Sequence, residues 1–232
     1  MKIGIIFAMK EELDAFKKKV TIREEKTIYN CTFYDGSFNN NNNLVLLESG
    51  VGKVNAARCC QMLIDYYNVD YVFNVGVAGS TLEEIKIGDI VVGEKLVQYD
   101  FDITAFNHEK GYIPNIGVFI PTDDELISIA LDVKDTEKIH KGVIASGDAF
   151  CTSYDICTKL YDDFGALCVE MEGASVAQVA YLAGIPSLVI RSISDSPCEG
   201  DNVNDYEKFL EESVNAVAEY LIKVIGKLKI KE

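Results

Sequence analysis

The stretch that decides the fold begins Val169-Glu170-Met171-Glu172-Gly173-Ala174-Ser175. It continues through a small-residue apolar segment to Ala183 and closes with Ile185-Pro186-Ser187-Leu188-Val189-Ile190-Arg191-Ser192-Ile193-Ser194-Asp195. Leu167–Glu170 reads as a short buried strand and Gly173–Ala183 as a helix whose small side chains allow close packing on a sheet. Ser187–Ser194 reads as the last strand, with Arg191, Ile193 and Asp195 on one side by strict alternation. Two carboxylates and an arginine thus stand at the ends of buried elements. Unpartnered charge in such places is costly, so these residues invite a functional explanation.

The same alternation runs outward from this unit. Ile3–Phe7 reads as a buried strand, followed by a helix over Lys10–Lys18 with Glu11 and Glu12 in its first turn. Glu12 has two readings: a helix-start acid, or a site residue just past the carboxyl end of a strand. Thr27–Phe38 alternates and reads as antiparallel strand structure with a hairpin loop at Asn39–Asn43; Leu44–Glu48 is the returning strand. Ser49-Gly50-Val51-Gly52-Lys53 lacks phosphate-loop spacing and reads as a tight turn into a helix over Val54–Tyr67. Strands are expected at Tyr71–Val77, Ile87–Val97 and Lys141–Ala145. Thr122-Asp123-Asp124-Glu125 reads as a capping box for a helix to Leu131, and Ser153 as the cap of another. Tyr99–Ile116 is long and irregular, as lids, interfaces and binding elements often are. Asp205–Lys227 is an amphipathic final helix. The sum is an α/β fold: a single three-layer domain over residues 1–232, with a mixed, mostly parallel central β-sheet flanked by helices.

Composition narrows the function. The chain has 232 residues, 48% of them hydrophobic, enough for a sizeable core, and no linker-like tract. Its formal net charge of -15 argues against a nucleic-acid partner. Seven cysteines without a C-x-x-C pair suggest reduced thiols in a cytoplasmic protein. The two histidines, His108 and His140, lack ligand spacing, so no metal is expected. No apolar run is long enough to suggest a membrane span.

Eight short segments, in order over nearly the whole chain, carry a resemblance. They are Gly4–Glu12, Ser49–Lys53, Gly76–Gly79, Gly88–Val92, Asp102–Phe106, Ser146–Phe150, Val169–Ala174 and Arg191–Asp195. Together they resemble the 5′-methylthioadenosine/S-adenosylhomocysteine nucleosidases of the nucleoside phosphorylase-like superfamily. The resemblance implies hydrolysis of the N-glycosidic bond between adenine and a 5′-thio-substituted ribose, and of 5′-deoxyadenosine, in methionine salvage and the recycling of S-adenosylmethionine by-products, without a cofactor. Such a reaction needs an acid for the leaving base and a base for water, much as glycoside hydrolysis does.

By motif position the resemblance implies that Asp195 protonates adenine N7 with Ser194 beside it, and that Glu12 activates water. Glu172 would hold the ribose hydroxyls, Met171 would pack on the sugar, and Arg191 would sit near water and ribose. Phe150 would stack on adenine while the Cys151 backbone reads its edge. Val77, Ala78 and Gly79 would line the site, and Met9, Val51 and Tyr206 the ribose and alkylthio pockets. Phe106 and Pro114 would complete the partner's site in a homodimer. The chain departs from the family pattern at Val77, where serine is common, and at Tyr206, where phenylalanine is common.

Three rival readings remain open at this level. A phosphorylase would need cationic side chains for phosphate, and the chain has only Arg23, Arg58 and Arg191 as arginines. An aminodeoxyfutalosine nucleosidase would differ in its 5′ pocket. A non-catalytic nucleoside-binding protein would lack one of the acids. A purely structural account would make Arg191 the partner of Asp195 or Glu172 in a buried ion pair.

Overall fold

Strand β1 (Lys2–Phe7) shows how the sheet is built. Ile3, Ile5 and Phe7 pack into one core and Ile6 into another, the period-two pattern of a strand buried on both faces. The chain continues as α1 (Lys10–Lys17), β2 (Thr21–Ile28), β3 (Cys31–Phe38), β4 (Asn42–Glu48), α2 (Lys53–Tyr67) and β5 (Tyr71–Ser80). Then come β6 (Ile90–Gln98), a 3₁₀ turn at Thr104–Phe106, β7 (Ile120–Pro121), α3 (Asp124–Leu131), β8 (Ile139–Ser146) and α4 (Tyr154–Phe164). The last elements are β9 (Ala166–Glu170), α5 (Gly173–Ala183), β10 (Ser187–Asp195) and α6 (Asn202–Lys227). This is a computed structural model, and it describes residues 1–38, 42–133, 138–196 and 202–228. Asn39, Asn40 and Asn41 of the asparagine run, and Cys198, lie outside the described residues.

The sheet is mixed, as expected. β1 pairs in parallel with β4 and β5, and β5 in parallel with β10. β10 runs antiparallel to β6, β6 parallel to β8, β8 parallel to β9, and β9 antiparallel to the end of β5. Those five strands close a circuit, β5-β10-β6-β8-β9, while β4-β3-β2 extend an antiparallel wing from β1. Helices α1, α3 and α6 pack on one face; α2 and α5 pack on the other. Helix α4 covers β8 and β9.

Three local expectations shift. Thr27–Phe38 is not one segment: it breaks at Tyr29 and Asn30, both at positive φ (47° and 61°), and Ile28 pairs with Cys31 across this two-residue turn. That conformation matches the twist of the flanking strands. β6 starts at Ile90, not Ile87, because the Asp89 carboxylate accepts the Lys86 N–H at 3.0 Å and Gly88 sits at φ 86° in the turn. Helix α3 is capped by Asp123, which accepts the Leu126 N–H at 2.9 Å. The Thr122 hydroxyl instead donates to the carbonyls of Gly93 and Glu94.

Phe16 of α1 is fully buried, and its ring lies 5.5 Å from that of Phe7. Phe16→Ala is expected to destabilise the protein by about 3–5 kcal/mol, measured by chemical denaturation; a loss below about 1 kcal/mol would show that α1 is not anchored through this side chain.

Candidate active site

A cleft opens where the ends of β1, β5, β9 and β10 meet. Its walls include Ala8 and Met9 after β1, Val77, Ala78 and Gly79 of β5, Met171 and Glu172 after β9, and Ser194 and Asp195 of β10. Glu12, Val51, Phe150, Cys151 and Tyr206 add to the lining from α1, two loops and α6, and Ala149, Val169 and Glu170 complete it. The fold thus brings fourteen of the sequence-derived candidates, taken from both ends of the chain, to one place: Met9, Glu12, Val51, Val77, Ala78, Gly79, Phe150, Cys151, Met171, Glu172, Ser194, Asp195 and Tyr206 in the lining, and Arg191 buried beneath it.

Glu12 fulfils both of its readings. As the third residue of α1 it reaches back to the chain before the helix. Its Oε2 accepts the N–H groups of Ala8 (2.9 Å) and Met9 (3.0 Å), and its Oε1 accepts that of Val77 (3.1 Å). Gly76 makes room for it: a Cβ there would lie 2.4 Å from Oε1. The residue that ties down the start of α1 therefore also places a carboxylate in the cleft wall.

Asp195 reaches the cleft through a bulge. Ile193 pairs with Ala78 and Asp195 with the next residue, Gly79, so Ser194 is the extra residue on β10. The strict alternation expected for Arg191, Ile193 and Asp195 is broken there. Both Ser194 and Asp195 line the cleft, and the Ser194 hydroxyl donates to Asp195 Oδ1 at 2.8 Å. Bulges re-aim side chains in this way beside many active sites.

Glu172 stands at the N-cap position of α5 but does not cap it through its side chain. Its Oε1 accepts the Gly52 N–H at 2.7 Å, from the turn after β4, where Gly50 and Gly52 have φ of 80° and 102°. On the opposite wall the Phe150 ring meets that of Tyr206 edge-on, with centroids 5.6 Å apart. The Tyr206 hydroxyl lies 3.1 Å from Met9 Sδ. Cys151 Sγ lies 3.3 Å from Cys157 Sγ at the start of α4.

Arg191 is not in the cleft wall. It is 1% exposed and lies beneath it. Its Nη2 donates to Glu170 Oε2 and Asn74 Oδ1, and its Nη1 to the carbonyls of Asn74 (3.2 Å) and Ile190 (3.0 Å). The buried ion pair is thus Arg191–Glu170, rather than Arg191 with Asp195 or Glu172. Phe106 and Pro114 also stay out of this chain's cleft. Both are exposed, Phe106 at 76%, on the segment between β6 and β7.

The profile of the phosphorylase superfamily matches residues 2–226. A 5′-methylthioadenosine/S-adenosylhomocysteine nucleosidase from an Exiguobacterium species is 37% identical over 233 residues, 99% of each chain. The Helicobacter pylori enzyme of that name, solved with butyl-thio-DADMe-Immucillin-A, superposes with a TM-score of 0.93 at 35% identity, covering 98% of this chain and 99% of that one. The futalosine hydrolase of Helicobacter pylori gives 0.93 at 36% identity, with 98% of each chain covered. The chain belongs to the 5′-methylthioadenosine/S-adenosylhomocysteine nucleosidase family of the phosphorylase superfamily. It is an enzyme of the N-glycosidase class.

A nucleosidase cleft needs carboxyl groups poised near neutrality, and burial supplies them here. Desolvation pushes Glu12 up to about 7, against the lowering effect of Arg191 and its backbone N–H donors. Desolvation, with the charge of Glu170 adding to it, pushes Glu172 up to about 7. Sequence reasoning missed Glu170, which is buried in the lining itself, and Asn74 and Ser146, buried behind it. For Glu170 the available signal was a second acid two residues before Glu172, at the very end of a strand.

Two outcomes follow from this geometry. Gly76→Ala is expected to displace Glu12 and lower turnover by at least about a hundredfold, with the fold intact by circular dichroism; parental turnover would show that the Glu12 carboxylate can move without cost. A Glu12 that acts as a base has to be ionised, so for that role kcat/KM should fall below pH 7, roughly tenfold per pH unit. A profile flat from about pH 5 to 8 would remove Glu12 and Glu172 from the reaction.

Proposed function

We propose that the protein hydrolyses the N-glycosidic bond of 5′-methylthioadenosine and S-adenosylhomocysteine, and of 5′-deoxyadenosine, releasing adenine and the 5-substituted ribose. The observation that carries this reading is the lining itself. Glu12, Glu172 and Asp195 surround one cleft, and among the described residues no lysine or arginine lines it. A phosphorylase would have to hold a phosphate anion beside these acids without a cation. Water is the better nucleophile for such a site.

In this reading Asp195 protonates adenine N7 as the bond breaks, with Ser194 orienting its carboxyl group. Glu12 takes a proton from water on the other side of the sugar. Glu172 accepts from the ribose hydroxyls, since only one of its oxygens is occupied by Gly52. Met171 packs on the sugar. Phe150 stacks on adenine and the Cys151 backbone reads its edge. Met9, Val51 and Tyr206 line the 5′ pocket, and Val77, Ala78 and Gly79 form the floor. Val77 has no hydroxyl, so water is held by Glu12 and backbone groups, with Arg191 acting from below.

The same reading makes residues 1–232 one nucleosidase domain in a homodimer. An exposed Phe106 and Pro114 would then reach the partner's site, which gives the surface ring of Phe106 a place to be buried. Among the described residues no helix is long and apolar enough to cross a membrane. A cytoplasmic role in methionine salvage and by-product recycling fits these substrates. The likeness to a futalosine hydrolase at TM-score 0.93 favours aminodeoxyfutalosine as the second substrate to try.

The test is adenine release from 5′-methylthioadenosine with and without phosphate, with S-adenosylhomocysteine and aminodeoxyfutalosine in parallel. Phosphate-independent release is expected, and strict phosphate dependence would overturn the hydrolase. Asp195→Asn should lower kcat at least about a thousandfold while nucleoside binding by calorimetry survives; full activity would remove Asp195 as the acid.

A further inference from the structure

Glu170 lines the cleft but is given no ligand contact in the mechanism above, and four polar groups converge on its carboxylate. Its Oε2 accepts Arg191 Nη2 and the N–H groups of Glu172 (3.0 Å) and Gly173 (2.8 Å). Its Oε1 accepts the Ser146 hydroxyl, whose oxygen in turn accepts the Ala174 N–H at 2.7 Å. Three consecutive N–H groups at the start of α5 are therefore satisfied from β9 and β8. The side chains of Glu170 and Arg191 are each 2% exposed.

This arrangement has two consequences. A helix start needs acceptors for its first N–H groups, and the residue at the N-cap usually supplies one. Here Glu170 and Ser146 supply them, so the Glu172 carboxylate at the N-cap is released from that task and turns to the cleft. Second, the charge of Glu170 offsets that of Arg191, the single cation beneath the acids. Around this point lie Glu12 from α1, Glu172 before α5, Asp195 and Arg191 from β10, Tyr206 from α6, Cys168 from β9 and Tyr99 after β6.

We propose that Glu170 is a positioning residue for the nucleosidase reaction: it caps α5 in place of Glu172, freeing that carboxylate for the ribose, and it fixes the Arg191 guanidinium beneath the acids. The inference rests on the hydrolytic reading of the site. It assigns to Glu170 an effect on both substrate affinity and the pH dependence of the rate, exerted through Glu172 and Arg191.

The experiment compares the parent, Glu170→Gln and Glu170→Asp, with 5′-methylthioadenosine as substrate over pH 5–9. Adenine release by the parent tests the hydrolytic reading by itself; the variants test Glu170. Glu170→Gln keeps the shape and removes the charge. Arg191 is then uncompensated, the ionised forms of Glu12 and Glu172 are favoured, and the acid limb of kcat/KM should move to lower pH by about one unit. A limb that stays in place while the rate drops would reduce Glu170 to a structural part and overturn the proposal.

Glu170→Asp keeps the charge but withdraws the carboxylate from the start of α5, and it carries the test should the glutamine variant fail to fold. It should raise KM about tenfold with the acid limb unmoved. A parental KM would overturn the positioning role, because the carboxylate's place would then not matter.

Discussion

The structure depends on one buried charge, the Arg191 guanidinium. Removing a cation from water is expensive unless carboxylates and carbonyls replace the water around it. Glu170 replaces part of it directly, and Asn74 and the Ile190 carbonyl replace more. Glu12 and Glu172 feel the remaining field without touching the guanidinium. Without that field two buried carboxyl groups side by side would be held protonated more strongly still. With it they stay close to neutrality, where one can accept a proton.

Every backbone feature of the site serves this group of charges. β10 carries Arg191 from below and then bulges, so that Ser194 and Asp195 open into the cleft. The β5 strand gives up a side chain at Gly76 to seat Glu12, and offers the Val77 N–H to the same carboxylate. The turn after β4 uses two glycines at positive φ to bring the Gly52 N–H to Glu172. The closed circuit of β5, β10, β6, β8 and β9 sets β9 beside β5, so that the chain after Glu170 enters the wall opposite Glu12. Strand ends therefore hold Glu170 and Asp195 and helix starts hold Glu12 and Glu172, while a loop carries Phe150.

That division agrees with the demands of glycosidic cleavage. Charge develops on the sugar and on the leaving base, and acids that must answer it are best held by backbone N–H groups that cannot drift. Phe150, by contrast, is half-exposed and meets the Tyr206 ring edge-on.

Much of this was readable in the amino-acid order. Hydrophobic period and turn chemistry determined most of the strands, the α-helices and the α/β class, because each depends on neighbours within a few residues; β7 and most of β2, whose residues are largely exposed, were not read. The motifs that end at Glu12, Glu172 and Asp195 named the acids of the site. Other features depended on groups far apart in the chain, and only the tertiary structure decided them. The Tyr29-Asn30 turn was hidden because its left-handed backbone is held by the pairing of β2 with β3. The family resemblance set Arg191 near water and ribose; its partner here, Glu170, lies 21 residues earlier and is brought to it by strands that meet only in the folded sheet. Glu170 and Glu172, two residues apart and almost equally buried, could not be told apart in sequence; only their folded partners separate them, Arg191 and the start of α5 for one and the Gly52 N–H for the other.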